Sequence, residues 1–239
     1  MDGPVDPPLD DRTLRQVERL LRPLARYHRF ELVGAEHVPR SGPCLLVVHH
    51  SLASYDGFLI GAAIWERTGR MCRALGDDTI FRVPGLGDFA RRVGIVPASP
   101  EAGERLLREG NLLAVAPGGM WESLRPRGER RQSRWEGRRG FVRLALRTGT
   151  PMLLAACPRA DDLYTVYPSR VTDALYRRFH LPVPFLRGLG PSLVPRPLRL
   201  VGHLAPLLHP PAWDPAREDE QIDALHADAC RVMAGLLRA

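Results

Sequence analysis

Two consecutive histidines, His49 and His50, head the turn Ser51-Leu52-Ala53-Ser54-Tyr55-Asp56, which follows the apolar run Cys44 to Val48. An imidazole beside a carboxylate is suited to drawing a proton from a weak nucleophile at neutral pH. The ring takes the proton, and the carboxylate on its other nitrogen fixes the tautomer. Five residues separate His50 from Asp56 and six separate His49 from it, so either ring can meet the carboxylate. The plainer reading is a surface turn in which Asp56 caps the next helix. A second turn, Ala116-Pro117-Gly118-Gly119-Met120-Trp121-Glu122, closes the apolar run Leu112 to Ala116. Paired glycines let the backbone approach a ligand closely and aim N–H groups at a developing anion. Pro-Gly-Gly also makes an ordinary tight turn.

Both turns need a rigid edge to stand on. Strand-like and helix-like segments alternate at short intervals, the pattern of an α/β layer architecture, in which ligands bind where strands end. Strands are expected at Glu31 to Val33, Cys44 to Val48, Arg73 to Leu75, Gly94 to Val96, Leu112 to Ala116 and Met152 to Ala156, with a late one at Arg199 to Val201. The continuous apolar runs suit a central, mostly parallel or mixed sheet flanked by helices. Helices are expected at Leu14 to Tyr27, Asp56 to Glu66, Gly85 to Arg92, Glu101 to Glu109, Gly140 to Arg147 and Glu218 to Leu237. The first is amphipathic, with Leu14, Val17, Leu20, Leu21 and Leu24 on one side and arginines around them. Leu175 to Arg199, rich in Pro, Arg and large apolar residues, suits neither a regular helix nor a central strand. With no internal repeat and no flexible linker, residues 1–30 read as a polar segment with the amphipathic helix and residues 31–239 as a single domain.

A chain of 239 residues buries a core without disulfides or metal, and 44% hydrophobic with 26% charged residues excludes disordered, collagenous and coiled-coil classes. The 34 basic residues are all arginine and give a net charge of +7. Guanidinium is a bidentate partner for phosphate, which points to an anionic membrane surface, a phosphorylated ligand or nucleic acid. With 7% aromatics and no recognised module, nucleic acid ranks last. Cys44, Cys72, Cys157 and Cys230 lack the close spacing of metal or redox motifs and read as buried apolar residues. The acidic start, with Asp2, Asp6, Asp10 and Asp11, is unlike a secretory signal, so a cytoplasmic location is expected. The longest apolar runs, Cys44 to Val48 and Gly57 to Trp65, are about half the ~20 residues of a spanning helix. Peripheral contact with the inner face of the cell membrane fits, because the Leu14 to Tyr27 helix and the segment Arg177 to Arg187 both combine arginines with apolar side chains. The helix reads as core-packed and the segment as the exposed membrane contact.

In order and separation the two turns resemble the glycerolipid acyltransferase superfamily, which includes the lysophosphatidic-acid and glycerol-3-phosphate acyltransferases. Pro117-Gly118-Gly119 and the five-residue spacer resemble its diacylglycerol acyltransferase-like branch. Supporting similarity runs through Phe81-Arg82-Val83-Pro84-Gly85-Leu86-Gly87, through Arg105 to Pro117, and from Gly137-Arg138-Arg139-Gly140-Phe141 to Thr150-Pro151. The resemblance implies an O-acyltransferase that moves a fatty acyl group from an acyl thioester to a glycerolipid hydroxyl. It implies His50 as general base oriented by Asp56, and Pro117, Gly118, Gly119, Glu122, Arg82, Arg125 and Arg127 as oxyanion and substrate-binding residues. No bound cofactor or metal is implied; acyl-CoA or acyl-carrier protein enters as co-substrate.

The chain departs from the better-known members where an acceptor phosphate binds. Gly118 and Trp121 stand where Glu and Arg would, and Gly94-Ile95-Val96-Pro97 lacks the usual nearby arginine. A neutral hydroxyl acceptor such as a partial glyceride is therefore expected. Arg125, Arg127, Arg130 and Arg131 read as a solvated patch that meets headgroups or the donor's phosphates. Glu122 is placed to orient an acceptor hydroxyl, with simple solvation as the alternative. Ser51 and Ser54 need not be nucleophiles, and the remaining histidines read as surface or packing residues. Two other functions fit the residues: a lipid carrier on the same scaffold, and a hydrolase in which water replaces the alcohol or a metal uses His49, His50 and Asp56.

Overall fold

Every position of Cys44–Val48 is buried, and alternate side chains divide between two cores. Leu45 and Val47 point one way, Cys44, Leu46 and Val48 the other, as the period of a strand requires. A strand apolar on both faces can only lie in the middle of a sheet covered on both sides. The computed structural model describes residues 10–135, 137–167, 169, 172, 178 and 185–239. In chain order these form α1 (Asp11–Tyr27), β1 (Glu31–Val33), β2 (Cys44–Val48), α2 (Tyr55–Thr68), β3 (Cys72–Gly76), α3 (Asp78–Arg82), α4 (Leu86–Arg92), β4 (Ile95–Pro97), α5 (Pro100–Arg108), β5 (Leu112–Val115), α6 (Gly119–Ser123), α7 (Gly140–Thr148), β6 (Met152–Ala156), β7 (Thr165–Tyr167), β8 (Phe185–Arg187), β9 (Val201–Leu204) and α8 (Glu218–Leu236).

Seven strands form the main sheet in the order β1-β9-β6-β2-β5-β3-β4, and β7 pairs with β8 in a small antiparallel sheet. All neighbours in the main sheet run parallel except β6 and β9. Helices α5, α7 and α8 cover one face through Leu106, Leu107, Val142, Leu146, Ile222 and Leu225. The other face is closed by α2 through Leu59, Ile60 and Ile64, with Leu24 and Ala25 of α1 against it. The α/β class expected from the sequence is the observed one.

The register sets up the site. Val47 pairs with Val115 of β5, and Val48 pairs with Ala155 of β6. Three parallel strands therefore end level, and their next residues, 49–56, 116–122 and 157–162, emerge at one edge.

The elements differ from expectation where they are short. The five-residue α3 and α6 hold too few residues to show a helical period. The late strand starts at Val201, because Arg199 points outward to the Glu31 carboxylate, 2.8 Å away. On α1, Leu20 is 71% exposed and leaves the apolar face on which its spacing placed it. Cys72 and Cys230 are only half-buried, whereas Cys44 and Cys157 are buried, and all four thiols are free. Of the expected membrane segment, only Arg178 and Phe185 to Arg187 fall within the described residues; the rest, like residues 1–9, lies outside them. Among the described residues, no helix is long and apolar enough to cross a membrane.

Candidate active site

His49 and His50 leave the end of β2 in opposite environments. His50 is 8% exposed. Its Nδ1 lies 2.7 Å from the Ser51 carbonyl oxygen. A carbonyl only accepts, so Nδ1 carries the proton and Nε2 presents a lone pair. The Ser54 hydroxyl, 3.1 Å away, donates to that lone pair. Burial is the main influence on the ring and pushes its pKa below the ordinary value, so the neutral, basic form persists.

Ser54 adopts a left-handed backbone, φ +53°, without capping α2 through its side chain. For a residue with a Cβ that conformation costs about 1 kcal/mol or more. Here it turns the hydroxyl toward His50.

Asp56 is fully buried. Its Oδ1 accepts from the Ser51 hydroxyl, and its Oδ2 has no hydrogen-bond partner among the described residues. Burial drives the carboxyl pKa up to about 6, against the Ser51 hydrogen bond and the influence of His49, which lower it. Asp56 thus reaches His50 through Ser51: its carboxylate fixes the residue whose carbonyl receives the ring proton. No direct Asp56–His50 hydrogen bond is formed in this structure.

His49 faces inward to three charged side chains. Arg125 Nη2 donates to His49 Nε2 at 2.6 Å, so the proton of the neutral ring sits on Nδ1, 3.6 Å from Glu122 Oε1. The same Arg125 nitrogen reaches Asp161 Oδ1 at 2.8 Å and the His50 carbonyl oxygen at 3.2 Å. Burial opposes a second proton on His49, but the carboxylates of Asp161 and Glu122 outweigh it and raise the pKa. Burial likewise opposes ionisation of Asp161 and Glu122, yet His49 and Arg125 hold both below the ordinary range. A buried ion cluster of this kind is stable only if its members stay together. The adjoining cavity of about 20 Å³, lined by Leu52, Ser123, Arg125, Arg130, Asp161 and Tyr164 among others, has room for a water molecule and not for a lipid.

Glu122 joins the two turns. Its Oε2 accepts the His50 main-chain N–H at 3.0 Å, and its Oε1 accepts the Arg134 N–H at 2.9 Å. A Cβ on Gly118 would overlap the Glu122 side chain, so only glycine lets this carboxylate fold back over the turn. Gly119 has φ +54°, and its N–H donates to Ala116 at 2.9 Å. Of the two glycines, it is the Gly118 N–H that donates to no other group among the described residues. Pro117 accepts from Arg138 Nη1 at 3.2 Å.

The structure therefore brings together His50, Asp56, Pro117, Gly118, Gly119, Glu122 and Arg125, and leaves the Arg82 and Arg127 side chains exposed to solvent. Arg125 does not belong to a solvated patch, because Asp161 and His49 hold it inside. Arg130 and Arg131 both pair with Asp162. Glu122 faces protein groups on both oxygens. Among the other histidines, His28 is buried, with Nε2 2.7 Å from the Tyr55 hydroxyl. Asp161 was missed in sequence; its one signal is its place just beyond the apolar strand Met152–Ala156. No group of three His, Cys, Asp or Glu among the described residues is arranged to hold a metal.

Three comparisons bear on this arrangement. The family model described as Acyltransferase matches residues 29–157. An uncharacterized protein of Mycobacterium tuberculosis (strain ATCC 25618 / H37Rv) is 33% identical over 197 residues, covering 74% of this chain and 53% of that protein. The Gallus gallus protein named DGAT1/2-independent enzyme synthesizing storage lipids is 30% identical over 166 residues, 69% of this chain and 49% of its own. The chain spans about half the length of these curated relatives. The crystal structure of the 1-acyl-sn-glycerophosphate (LPA) acyltransferase PlsC from Thermotoga maritima superposes with a TM-score of 0.59 at 16% identity, covering 93% of this chain and 79% of that one, which shows a shared fold. The family match takes in the ends of both β2 and β5, and on that ground the chain belongs to the acyltransferase family.

Proposed function

We propose that the protein is an O-acyltransferase that moves a fatty acyl group from an acyl thioester to a glycerolipid hydroxyl, with His50 as general base. The observation that carries this reading is the 2.7 Å contact of His50 Nδ1 with the Ser51 carbonyl, which leaves Nε2 as the basic nitrogen at the strand edge. In the reaction, the acceptor hydroxyl replaces the Ser54 hydroxyl at Nε2, which takes its proton as its oxygen attacks the thioester carbonyl carbon. The carbon–sulfur bond then breaks, and the imidazolium returns the proton to the departing thiolate. The Gly118 N–H is the donor assigned to the tetrahedral oxyanion; a donor of this kind lowers the barrier by a few kcal/mol. Asp56 acts through Ser51, and Glu122 and Arg125 hold the backbone of the base.

A neutral acceptor, such as a partial glyceride, is favoured because Arg125, Arg130 and Arg131 are each committed to a carboxylate. The storage-lipid wording in the chicken relative's name points the same way. Arg82 and Arg127, exposed and without a carboxylate partner among the described residues, are assigned to the phosphates of acyl-CoA or of an acyl carrier, or to headgroups. The place of action is a membrane surface, on the inner face of the cell membrane.

The test offers one long-chain acyl-CoA with diacylglycerol, monoacylglycerol, lysophosphatidic acid or no acceptor, and follows thiol release and the lipid product. Thiol release that depends on a neutral glyceride is expected. Release without any acceptor indicates a hydrolase, lipid binding without thioester consumption indicates a carrier, and a preference for lysophosphatidic acid overturns the acceptor assignment.

A further inference from the structure

The small sheet and the loop that follows it leave large apolar side chains outside. Tyr167 and Phe185 are opposed across the β7–β8 ladder, and both are exposed. Beyond Arg187 the chain closes on itself: the Leu189 N–H donates to the Val194 carbonyl at 2.8 Å, and Gly188 to the Ser192 carbonyl at 2.6 Å. The Ser192 hydroxyl adds a bond to the Leu189 carbonyl at 2.8 Å. With its backbone satisfied internally, this loop holds Leu189, Leu193 and Val194 more than half exposed, Leu193 at 70%. Large apolar side chains held out by a loop with an internally bonded backbone mark an interaction surface.

Charge says what the surface meets. From residue 174 to residue 213 the sequence contains no Asp or Glu and five arginines. The nearby Asp161 and Asp162 are neutralised by Arg125, Arg130 and Arg131. Arg187, beside the apolar loop, and Arg127, in the turn that packs on β7, are exposed without a carboxylate partner among the described residues. Exposed apolar side chains flanked by the Arg187 and Arg127 guanidinium groups complement the anionic face of a lipid bilayer. Arg130 and Arg196, bonded to the Tyr164 and Asp162 carbonyls at 2.8 Å, tie this unit to the segment that carries Asp161 beneath His49. We infer that the β7–β8 ladder and the 188–194 loop are the element that seats the protein on an anionic bilayer, with the His50 edge beside it. This rests on the membrane-surface reading above for the place of action, and on its own observations for the element.

The experiment is flotation with vesicles of phosphatidylcholine alone or in equal parts with phosphatidylglycerol, with melting curves to verify folding. Wild type floats with the anionic vesicles. The double variant Leu189→Asp/Leu193→Asp, at exposed positions, partitions about tenfold or more weakly. Arg187→Gln loses about fivefold on anionic vesicles and nothing on neutral ones. Leu20→Asp, on the equally exposed α1 site, floats as wild type does. The inference is overturned if wild type fails to float, if the double variant floats like wild type, or if Leu20→Asp is the variant that is released. Turnover of a short, water-soluble acyl thioester is measured in parallel. Wild type that floats without any turnover counts against the acyltransferase reading alone, and turnover with unaltered flotation of the double variant counts against this element alone.

Discussion

The main-chain N–H of His50 donates to Glu122 Oε2 at 3.0 Å, so the carboxylate that follows the glycine turn fixes the backbone of His50, the proposed base. Glu122→Gln keeps the shape but sets an NH₂ group against one of two N–H donors, those of His50 and Arg134. It also removes a charge that balances Arg125. Stability is expected to fall by about 2 kcal/mol, and kcat by about tenfold or more with little change in KM. Thermal melts and initial rates check this; an unchanged kcat in the folded variant contradicts the positioning role.

Gly118→Ala should imitate that loss. The added methyl overlaps the Glu122 side chain, whereas at Gly61, in the middle of α2, a Cβ meets nothing within 4 Å. Gly61→Ala is expected to stabilise by up to about 1 kcal/mol, through helix propensity alone. Gly118→Ala is expected to destabilise by about 2 kcal/mol and to lose activity in parallel with Glu122→Gln. Urea unfolding of the two alanine variants gives the comparison.

The burial of Asp56 costs stability. Its carboxyl is raised from 3.8 to about 6 in the fold, chiefly by burial. The folded state therefore binds the proton more tightly than the unfolded chain, and stability declines as pH rises from about 4 to 6. The corresponding burden at pH 7 is about 3 kcal/mol. Asp56→Asn keeps an acceptor for Ser51 and removes the charge, so it should melt higher than wild type by a few degrees at pH 7 and lose that advantage at pH 4, while activity falls. Melting curves at both pH values decide it; an advantage of the same size at pH 4 contradicts the assignment.

What the sequence made legible follows from burial. Cys44–Val48 and Met152–Ala156 have the bounds expected of them, because an unbroken apolar run bounded by turn residues leaves little choice of register or end; the short Glu31–Val33 also has its expected bounds, with only Leu32 buried. The two turns were found through their residue types, and the parallel sheet brought them to one edge. Arg125 and Asp161 were not legible as partners: 36 positions apart, each reads alone as a solvated charge, and only the level ends of β2, β5 and β6 bring them together under His49. Leu20 fits the period of α1 but falls outside the stripe that the sheet covers.

The most direct test replaces each histidine in turn and measures acceptor-dependent thiol release. His50→Asn is expected to keep its fold and lose about 10²- to 10⁴-fold in rate, the usual contribution of a general base. His49→Asn is expected to show its main effect on stability, through the cluster with Arg125, Glu122 and Asp161. Turnover at the wild-type rate by folded His50→Asn, with activity lost instead in a His49→Asn protein that melts normally, would contradict the account.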